Sequence, residues 1–313
     1  MSGGDYVRKL VRLARQRFAF HCHINAEYFR GLLLALAACV IARLFFNRCV
    51  TTFHAGAKQP FLRGWRAVVL WPLFWAVFRL SHSVVCNSEE VRDVLRPYVS
   101  RNKVFAIPAF SVQYMQFQPV ALDGALDAFI AQRHPLLSAY LCFRDGFYVD
   151  VVVEALSRLR ERQLDFGLVL VGTGDGRAEF EAQLAARNLS DNVFLAGDLN
   201  HDHFMMLLSR SALHLRTPTT DGVSSTVLQA LSLGVPVVAS ENGTRPASVL
   251  TYRATDADAM IDRIDTVLSN RTAAAAAIVR PDIRDTVAEE VDLLLGTSAA
   301  MSCPTAPGTE GAL

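Results

Sequence analysis

The stretch Arg216-Thr-Pro-Thr-Thr-Asp-Gly-Val-Ser-Ser-Thr-Val-Leu-Gln-Ala-Leu-Ser-Leu-Gly-Val-Pro-Val-Val-Ala-Ser240 decides how the chain folds. A short apolar run, 212–215, leads into a polar loop. Apolar residues then recur at 223, 227, 228 and 231, the spacing of a helix. Gly234 closes that helix, Pro236 forbids its continuation, and Val237-Val238-Ala239 reads as a short buried strand. The loop Thr219-Thr220-Asp221-Gly222 therefore joins the carboxyl end of one strand to the amino end of a helix. A helix start presents unpaired N–H groups and a positive dipole end, which suit a phosphate. Ser224 and Ser225 add hydroxyls there. An ordinary αβ unit with a serine cap fits the local pattern equally well.

Further out, the same alternation continues. Upstream, strands are expected at 136–143, 166–171 and 193–196, with helices at 149–162, 177–187 and 202–209. Downstream lie helices at 256–268 and 283–295. The first hundred residues repeat the scheme, with strands at 18–23, 49–54, 83–86 and 103–107. Helices are expected there at 5–16, 27–46, 61–80 and 91–98. Alternation of this kind makes an α/β fold with parallel sheets covered by helices on both faces.

Taken whole, the segment resembles the signature region of retaining GT-B glycosyltransferases of family 4. The resemblance rests on Arg216-Thr217, Asp221-Gly222, Gln229-Ala230-Leu231, Gly234-Val235-Pro236-Val237-Val238-Ala239-Ser240 and Gly243-Thr244-Arg245-Pro246. It implies two Rossmann-like domains with parallel sheets and a nucleotide-sugar cleft between them. On that pattern, 1–110 is a partial acceptor domain lacking the family's first strand and Gly-rich loop, so the N-terminal domain is truncated. Residues 111–135 are the linker, 136–295 the nucleotide-sugar domain, and 296–313 a disordered tail.

The resemblance also assigns residues. Asp221 would touch the donor sugar, and Gln229, eight positions on, the ribose; the family has acids at both places. Arg144 matches an arginine that clamps the diphosphate. The family's lysine partner is missing, because no lysine follows Lys103, and Arg216 or Arg245 is the candidate replacement. Gly172 and Gly174, in the run Gly172-Thr-Gly-Asp-Gly176 after a strand, would line the nucleotide pocket. Gly222, Val223, Ser224 and Ser225 would do so at the helix start. His54, ending the strand 49–54 before Ala55-Gly56, would lie near the transferred sugar; a satisfied structural histidine is the alternative. His21 and His23 share one face of a strand, with no third metal ligand evident, and no metal or other cofactor is expected.

Composition bounds the partners. The 313 residues are 51% hydrophobic and carry a net charge of +1. That small net charge hides an asymmetry: residues 1–110 hold 16 basic and 5 acidic residues, and 111–313 hold 15 and 25. A basic half suits an anionic membrane surface; no recognition helix or stacking motif points to nucleic acid. The apolar runs 31–42 and 67–78 are shorter than the roughly 20 residues a membrane span needs. Core helices or helices lying in a bilayer interface fit them. Six dispersed cysteines without a C-x-x-C pair read as free thiols in a reducing compartment.

The expected function is transfer of a sugar from a nucleotide-diphosphate-sugar donor to a glycolipid or polysaccharide-precursor acceptor. The expected location is cytoplasmic, peripheral at the inner face of the membrane. A non-catalytic GT-B remnant acting as a binding subunit and a GT-B sugar-nucleotide epimerase are the alternatives.

Overall fold

The computed structural model describes residues 3–25, 29–54, 65–96, 99–162, 165–221 and 224–297. In chain order the elements are α1 (Gly3–Arg15), β1 (Phe20–Ile24), α2 (Phe29–Leu44), β2 (Cys49–Phe53), α3 (Trp65–Leu80), β3 (Ser83–Cys86), α4 (Glu89–Leu95) and β4 (Val104–Ala106). There follow α5 (Gly124–Gln132), β5 (Leu136–Tyr140), α6 (Val149–Glu161), β6 (Gly167–Val171), α7 (Arg177–Ala186), β7 (Val193–Gly197) and α8 (His201–Arg210). The chain ends with β8 (Leu213–Arg216), α9 (Ser225–Ser232), β9 (Val237–Ser240), β10 (Leu250–Tyr252), α10 (Ala257–Ser269), α11 (Arg271–Ala276) and α12 (Thr286–Leu295). Two compact units result, Met1–Val112 with Arg284–Leu313, and Gln113–Ile283.

In the first unit four parallel strands lie in the order β1-β2-β3-β4. Parallel neighbours need crossovers, and α2, α3 and α4 supply them. Every residue of β2 and β3 is buried, as expected of interior strands covered on both faces. Phe53 anchors the core, with the rings of Phe74 and Phe78 edge-on at 5.9 and 5.7 Å. Burying a side chain of this size contributes about 1.5–3 kcal/mol. The two long apolar runs became α2 and α3, which pack on one another. The buried side of α2 carries Leu32, Ala35, Cys39 and Ala42, while Leu33, Leu34 and Val40 stay exposed. No helix among the described residues is long and apolar enough to cross a membrane. The five described cysteines are free thiols; Cys303 lies outside the described residues.

The last helix departs from the expected division. Residues up to 295 were assigned to the second domain, yet α12 packs against β2, with Leu293 among Val50, Val85 and Ile107. The backbone N–H of Val112 donates to Arg284 O at 3.1 Å, and Thr286 Oγ1 donates to Phe110 O at 3.4 Å. The expected linker 111–135 is also partly regular, because Asp123 caps α5 by accepting from Ala125 N at 2.9 Å, and Leu126 and Ile130 are buried. The expected tail lies outside the described residues from 298 onward, as do the expected helical residues 27–28, 61–64 and 97–98.

The second unit is a six-stranded parallel sheet in the order β10-β9-β8-β5-β6-β7. Its strands alternate between two cores. Leu168 and Leu170 face one cluster, with Leu156 and Ile264 from α6 and α10; Val169 and Val171 face the other, with Phe204 and Val227 from α8 and α9. The strand order reverses between β5 and β8. At such a reversal neighbouring crossovers go to opposite faces, leaving a crevice outside the carboxyl ends of the two strands. Arg144 lies in the loop after β5, and Asp221 in the loop after β8.

Candidate functional site at the switch point of the second unit

His214, at the centre of β8, braces the crevice from below. It is fully buried, with Nδ1 3.1 Å from Ser138 Oγ on β5 and Nε2 3.1 Å from Thr226 Oγ1 on α9. Burial, and secondarily the charge of Arg216, push its pKa down to about 3. The ring is therefore neutral, with one nitrogen donating and the other accepting. Thr226 Oγ1 in turn lies 3.2 Å from Ser224 Oγ. This chain of hydrogen bonds ties both switch-point strands to the start of α9. Ser224 is the buried N-cap of α9 and Ser225, its first residue, is exposed. Gly222 and Val223 lie outside the described residues.

Above it, two arginines clamp one acid. Arg216 Nε donates to Asp221 Oδ2 at 2.9 Å, and its Nη1 donates to Tyr140 O at 2.9 Å. Arg245 Nη2 donates to Asp221 Oδ1 at 3.1 Å and to Pro218 O at 2.7 Å, while its Nε donates to Ser240 O at 3.0 Å. Asn242 Nδ2 donates to Asp221 O at 2.8 Å. The side chains of Arg216, Arg245 and Asp221 are 12%, 2% and 18% exposed, so the carboxylate is largely spent within the protein. Arg144 is exposed, its guanidinium 5.5 Å from the centre of the Phe147 ring; that of Arg216 lies 5.9 Å from the same ring. Phe147 thus brings together two cations, one from the loop after β5 and one from the end of β8. The carbonyl of Phe147 accepts from Thr217 Oγ1 at 2.5 Å, fixing one loop on the other.

Gln229 turns elsewhere. It is buried, and its Nε2 donates to Tyr114 O at 3.3 Å within the same unit. The glycines after β6 have an internal reason for being glycines. Gly172 and Gly174 have φ of +124° and +155°. A Cβ on Gly172 would lie 1.9 Å from Leu141 O, and one on Gly174 would lie 2.7 Å from Phe143 N. The loop therefore packs on the backbone just past β5, which ends at Tyr140 rather than at the expected 143.

Beside this constellation is an open pocket of about 600 Å³, lined by Tyr148, Thr219, Glu241, Thr251, Arg253 and Arg263 among others. Tyr148 Oη and Thr219 Oγ1 are 3.4 Å apart. Tyr252 also contributes to it; its buried hydroxyl has no hydrogen-bond partner among the described residues, and burial raises its pKa.

His54 belongs to the first unit, just past β2, where its Nε2 lies 2.8 Å from His23 Nδ1. The sequence placed His21 and His23 on one face but gave no sign of this third ring, because strand register alone aligns 23 with 52 and brings 54 alongside. Among the described residues no group of three or more His, Cys, Asp or Glu is arranged to hold a metal ion. Phe147, Asn242 and the carbonyl of Tyr140 were not legible as site residues, since none carries a charge or motif of its own.

Residues 146–280 match the model of the family described as glycosyl transferases group 1. The chain has the GT-B fold, and the stretch similar to that family lies within its second unit. The family match begins two residues after Arg144 and covers all of the Asp221 clamp. Among similar proteins, the phosphatidylinositol N-acetylglucosaminyltransferase gpi3 subunit of Schizosaccharomyces pombe is 21% identical over 193 residues, 60% of this chain and 41% of that protein. Alpha-D-kanosaminyltransferase of Streptomyces kanamyceticus is 26% identical over 163 residues, 49% of this chain and 39% of that protein. The match thus spans about two fifths of the length of these curated relatives. Among solved structures, Anabaena HepE in complex with UDP-glucose aligns with a TM-score of 0.67 at 16% identity, over 94% of this chain and 82% of that one. Sucrose-phosphate synthase from Thermosynechococcus elongatus aligns with a TM-score of 0.60 at 18% identity, over 95% and 79%. At these identities the structural likeness concerns the fold.

Proposed function

We propose that the protein transfers a sugar, with retention of configuration, from a nucleotide-diphosphate-sugar to a hydroxyl of a glycolipid or polysaccharide-precursor acceptor. The observation that carries this reading is the meeting of Arg144 and Arg216 across Phe147 at the switch point of the second unit. Guanidinium groups there would stabilise the charge that develops on a leaving diphosphate, an electrostatic task. Arg144 has the larger share, because Arg216 is already engaged by Asp221. Asp221 would hold a sugar hydroxyl with what acceptor capacity the two arginines leave it, and His54 is the candidate catalytic residue of the first unit. Gly172, Gly174 and the residues from Gly222 to Ser225 would border the nucleotide. HepE was crystallised with UDP-glucose and the gpi3 relative is named for a phosphatidylinositol acceptor; both favour a nucleotide-sugar donor and a lipid-linked acceptor.

The test is calorimetric titration with UDP and a panel of nucleoside diphosphates. Arg144→Ala should weaken diphosphate binding by about 1.5–3 kcal/mol and leave nucleoside binding unchanged. Equal affinity in parent and variant would move the phosphate site elsewhere. A second reading, a binding subunit without turnover, is favoured by the clamp on Asp221 and by Gln229 facing Tyr114. Binding of a nucleotide sugar with neither transfer nor hydrolysis would select it.

The same reading includes a lipid surface at the inner face of the membrane. Arg8, Lys9, Arg12 and Arg15 are exposed on α1. Nearby, Arg17 Nη1 donates to Phe45 O at 2.9 Å, joining two turns on which Phe18, Leu44 and Phe46 are 54%, 70% and 89% exposed. Exposed apolar residues beside cations suit an anionic bilayer interface. Binding to vesicles containing phosphatidylserine should fall as salt rises; no binding at low salt would remove the membrane from the proposal.

A further inference from the structure

The core of the first unit holds two thiols in direct contact. Cys39 lies on the buried side of α2, with Ala35 and Ala42 about one turn before and after it. Those small side chains let the helix sit close to the sheet. Cys49 opens β2, every residue of which is buried. The two sulfurs are 3.5 Å apart, and both residues are fully buried. A covalent S–S bond is about 2.05 Å long, so the sulfurs already touch and no other atom lies between them.

Two hydroxyls face the same contact. Cys39 Sγ lies 3.6 Å from Ser81 Oγ and 3.9 Å from Thr51 Oγ1. Ser81 Oγ donates its hydrogen to Val77 O at 2.8 Å, and Thr51 Oγ1 is 2.8 Å from Ser81 Oγ, so Thr51 donates to Ser81. Both hydroxyl hydrogens are thereby used, and the Cys39 S–H points to the oxygen lone pairs. Its sulfur keeps its own lone pairs for the thiol of Cys49. Thr51 and Ser81 are fully buried, in a core built around Phe53, Val77 and Phe78. They offer hydrogen bonds to a small polar molecule entering that core, which would otherwise lose its own on leaving water. Cys86 makes the contrast. It is equally buried, yet its thiol meets the backbone carbonyls of Ser88 and Phe105, both at 3.5 Å, rather than a second sulfur.

We propose that Cys39 and Cys49 form an oxidisable dithiol, a modification site of the first unit that a peroxide closes into a disulfide joining α2 to β2. The oxidant is hydrogen peroxide, because sulfurs without exposed surface admit only a reagent of about the size of water. In the first step one sulfur, having given up its proton, attacks a peroxide oxygen. The O–O bond breaks, hydroxide leaves and takes up that proton as water, and the sulfur becomes a sulfenic acid. In the second step the other sulfur attacks it. The S–O bond breaks, and the hydroxyl leaves with the second thiol's proton as a second water. The two thiols together lose two electrons, and the peroxide gains them. Where reductant is in excess the pair stays open as free thiols. The closed pair ties residues ten apart in sequence, helix to strand. None of this rests on the function proposed above.

The experiment exposes the full chain to hydrogen peroxide in rising dose, until the Cys86 thiol begins to be lost. The remaining thiols are then alkylated in urea and a tryptic digest is mapped by mass spectrometry. Cleavage after Arg43 and Arg48 puts Cys39 and Cys49 in separate peptides, so a link between them is read directly. The Cys39–Cys49 link should form before Cys86 reacts, and dithiothreitol should return both peptides to free thiols. The urea midpoint should rise as the linked fraction grows, since the bond restricts the unfolded chain. In Cys49→Ala, peroxide should leave the midpoint where it was; if that variant does not fold, the peptide map of the parent decides alone. Loss of the Cys86 thiol while Cys39 and Cys49 remain reduced overturns the proposal, and so does Cys39 joined to any other cysteine.

Discussion

The two parallel sheets differ in one topological respect, and their chemistry follows it. The second sheet reverses its strand order between β5 and β8, whereas the first runs from β1 to β4 without a reversal. In the second unit the reversal opens a crevice, and the two loops beside it, with the end of β8, supply Arg144, Phe147, Asp221 and Arg216. In the first unit no reversal occurs among the described strands, and the reactive side chains sit on β1, the outermost described strand, and on the end of its neighbour. One unit concentrates charge in loops held by long side chains. The other places two imidazole rings by register alone. Loop sites depend on side-chain ion pairs for their order, while a register site inherits its order from the sheet.

Four experiments would break or sharpen that contrast. The largest effect is expected for Gly172→Ala, whose Cβ would meet Leu141 O at 1.9 Å with φ at +124°. Backbone cannot yield as a flexible side chain can, so stability should fall by about 4 kcal/mol or more. Urea denaturation checks this, and near-parental stability would mean that the loop after β6 is free to move.

Acid comes next. His214 has its pKa lowered to about 3 in the folded chain, below the ordinary value of 6.5. The unfolded state therefore binds the proton first. The contribution to stability is complete above pH 6.5 and is lost as pH falls toward 3, at about 1.4 kcal/mol per pH unit. His214→Gln should flatten that dependence in urea midpoints measured between pH 7 and 4. His21, with a folded pKa of about 4, gives the first unit a loss of the same sign over a narrower range. Equal pH slopes in parent and His214→Gln would show that the buried ring is not the acid-sensitive group.

Third is Asp221→Asn. It leaves Arg216 and Arg245 without their carboxylate, and breaking a buried pair on one side costs about 3 kcal/mol. Loss of stability should therefore accompany any loss of sugar transfer. A variant as stable as the parent would mean that the carbonyls of Tyr140, Pro218 and Ser240 suffice for both arginines. The smallest effect is expected for Gln229→Glu. From sequence, the restored charge would tighten a ribose contact by about 1 kcal/mol. The amide instead donates to Tyr114 O, so the exchange removes a donor and buries a charge. Stability should drop by about 1–2 kcal/mol with no gain in nucleotide affinity. A gain in affinity, measured by calorimetry, would show that the side chain can swing to a ligand.

Much of this was legible beforehand where the signal is periodic. β3 falls at Ser83–Cys86 as the apolar run indicated, and the second unit's strands and crossovers follow from alternation and from glycine and proline punctuation. Short pieces escaped: β10 has three residues, Leu-Thr-Tyr, too few to show a period, and α5, nine residues long, follows a stretch with few regular signals. The placement of α12 escaped for another reason, because a helix's amphipathic face says that it packs but not on which core. At the site, residue types were readable and pairings were not. Asp221, Arg216 and Arg245 were each picked out for a ligand, while their bonds to one another depend on how two loops fold back. His23 and His54 are far apart in sequence, and only the register of β1 on β2 joins them.

The glycines after β6 carry a consequence for how such chains drift. Selection for solubility alone would keep Gly172 and Gly174, since any side chain there collides with the protein's own backbone. Arg144 is exposed, with no ion pair among the described residues and only the face of Phe147 against its guanidinium, so a ligand is the stronger reason to keep it an arginine. In a lineage that had given up its substrate, the glycine pattern would persist as a fossil of the fold while position 144 wandered. Vestigial members of such a family would be recognised by that arginine, and not by the loop that first draws the eye.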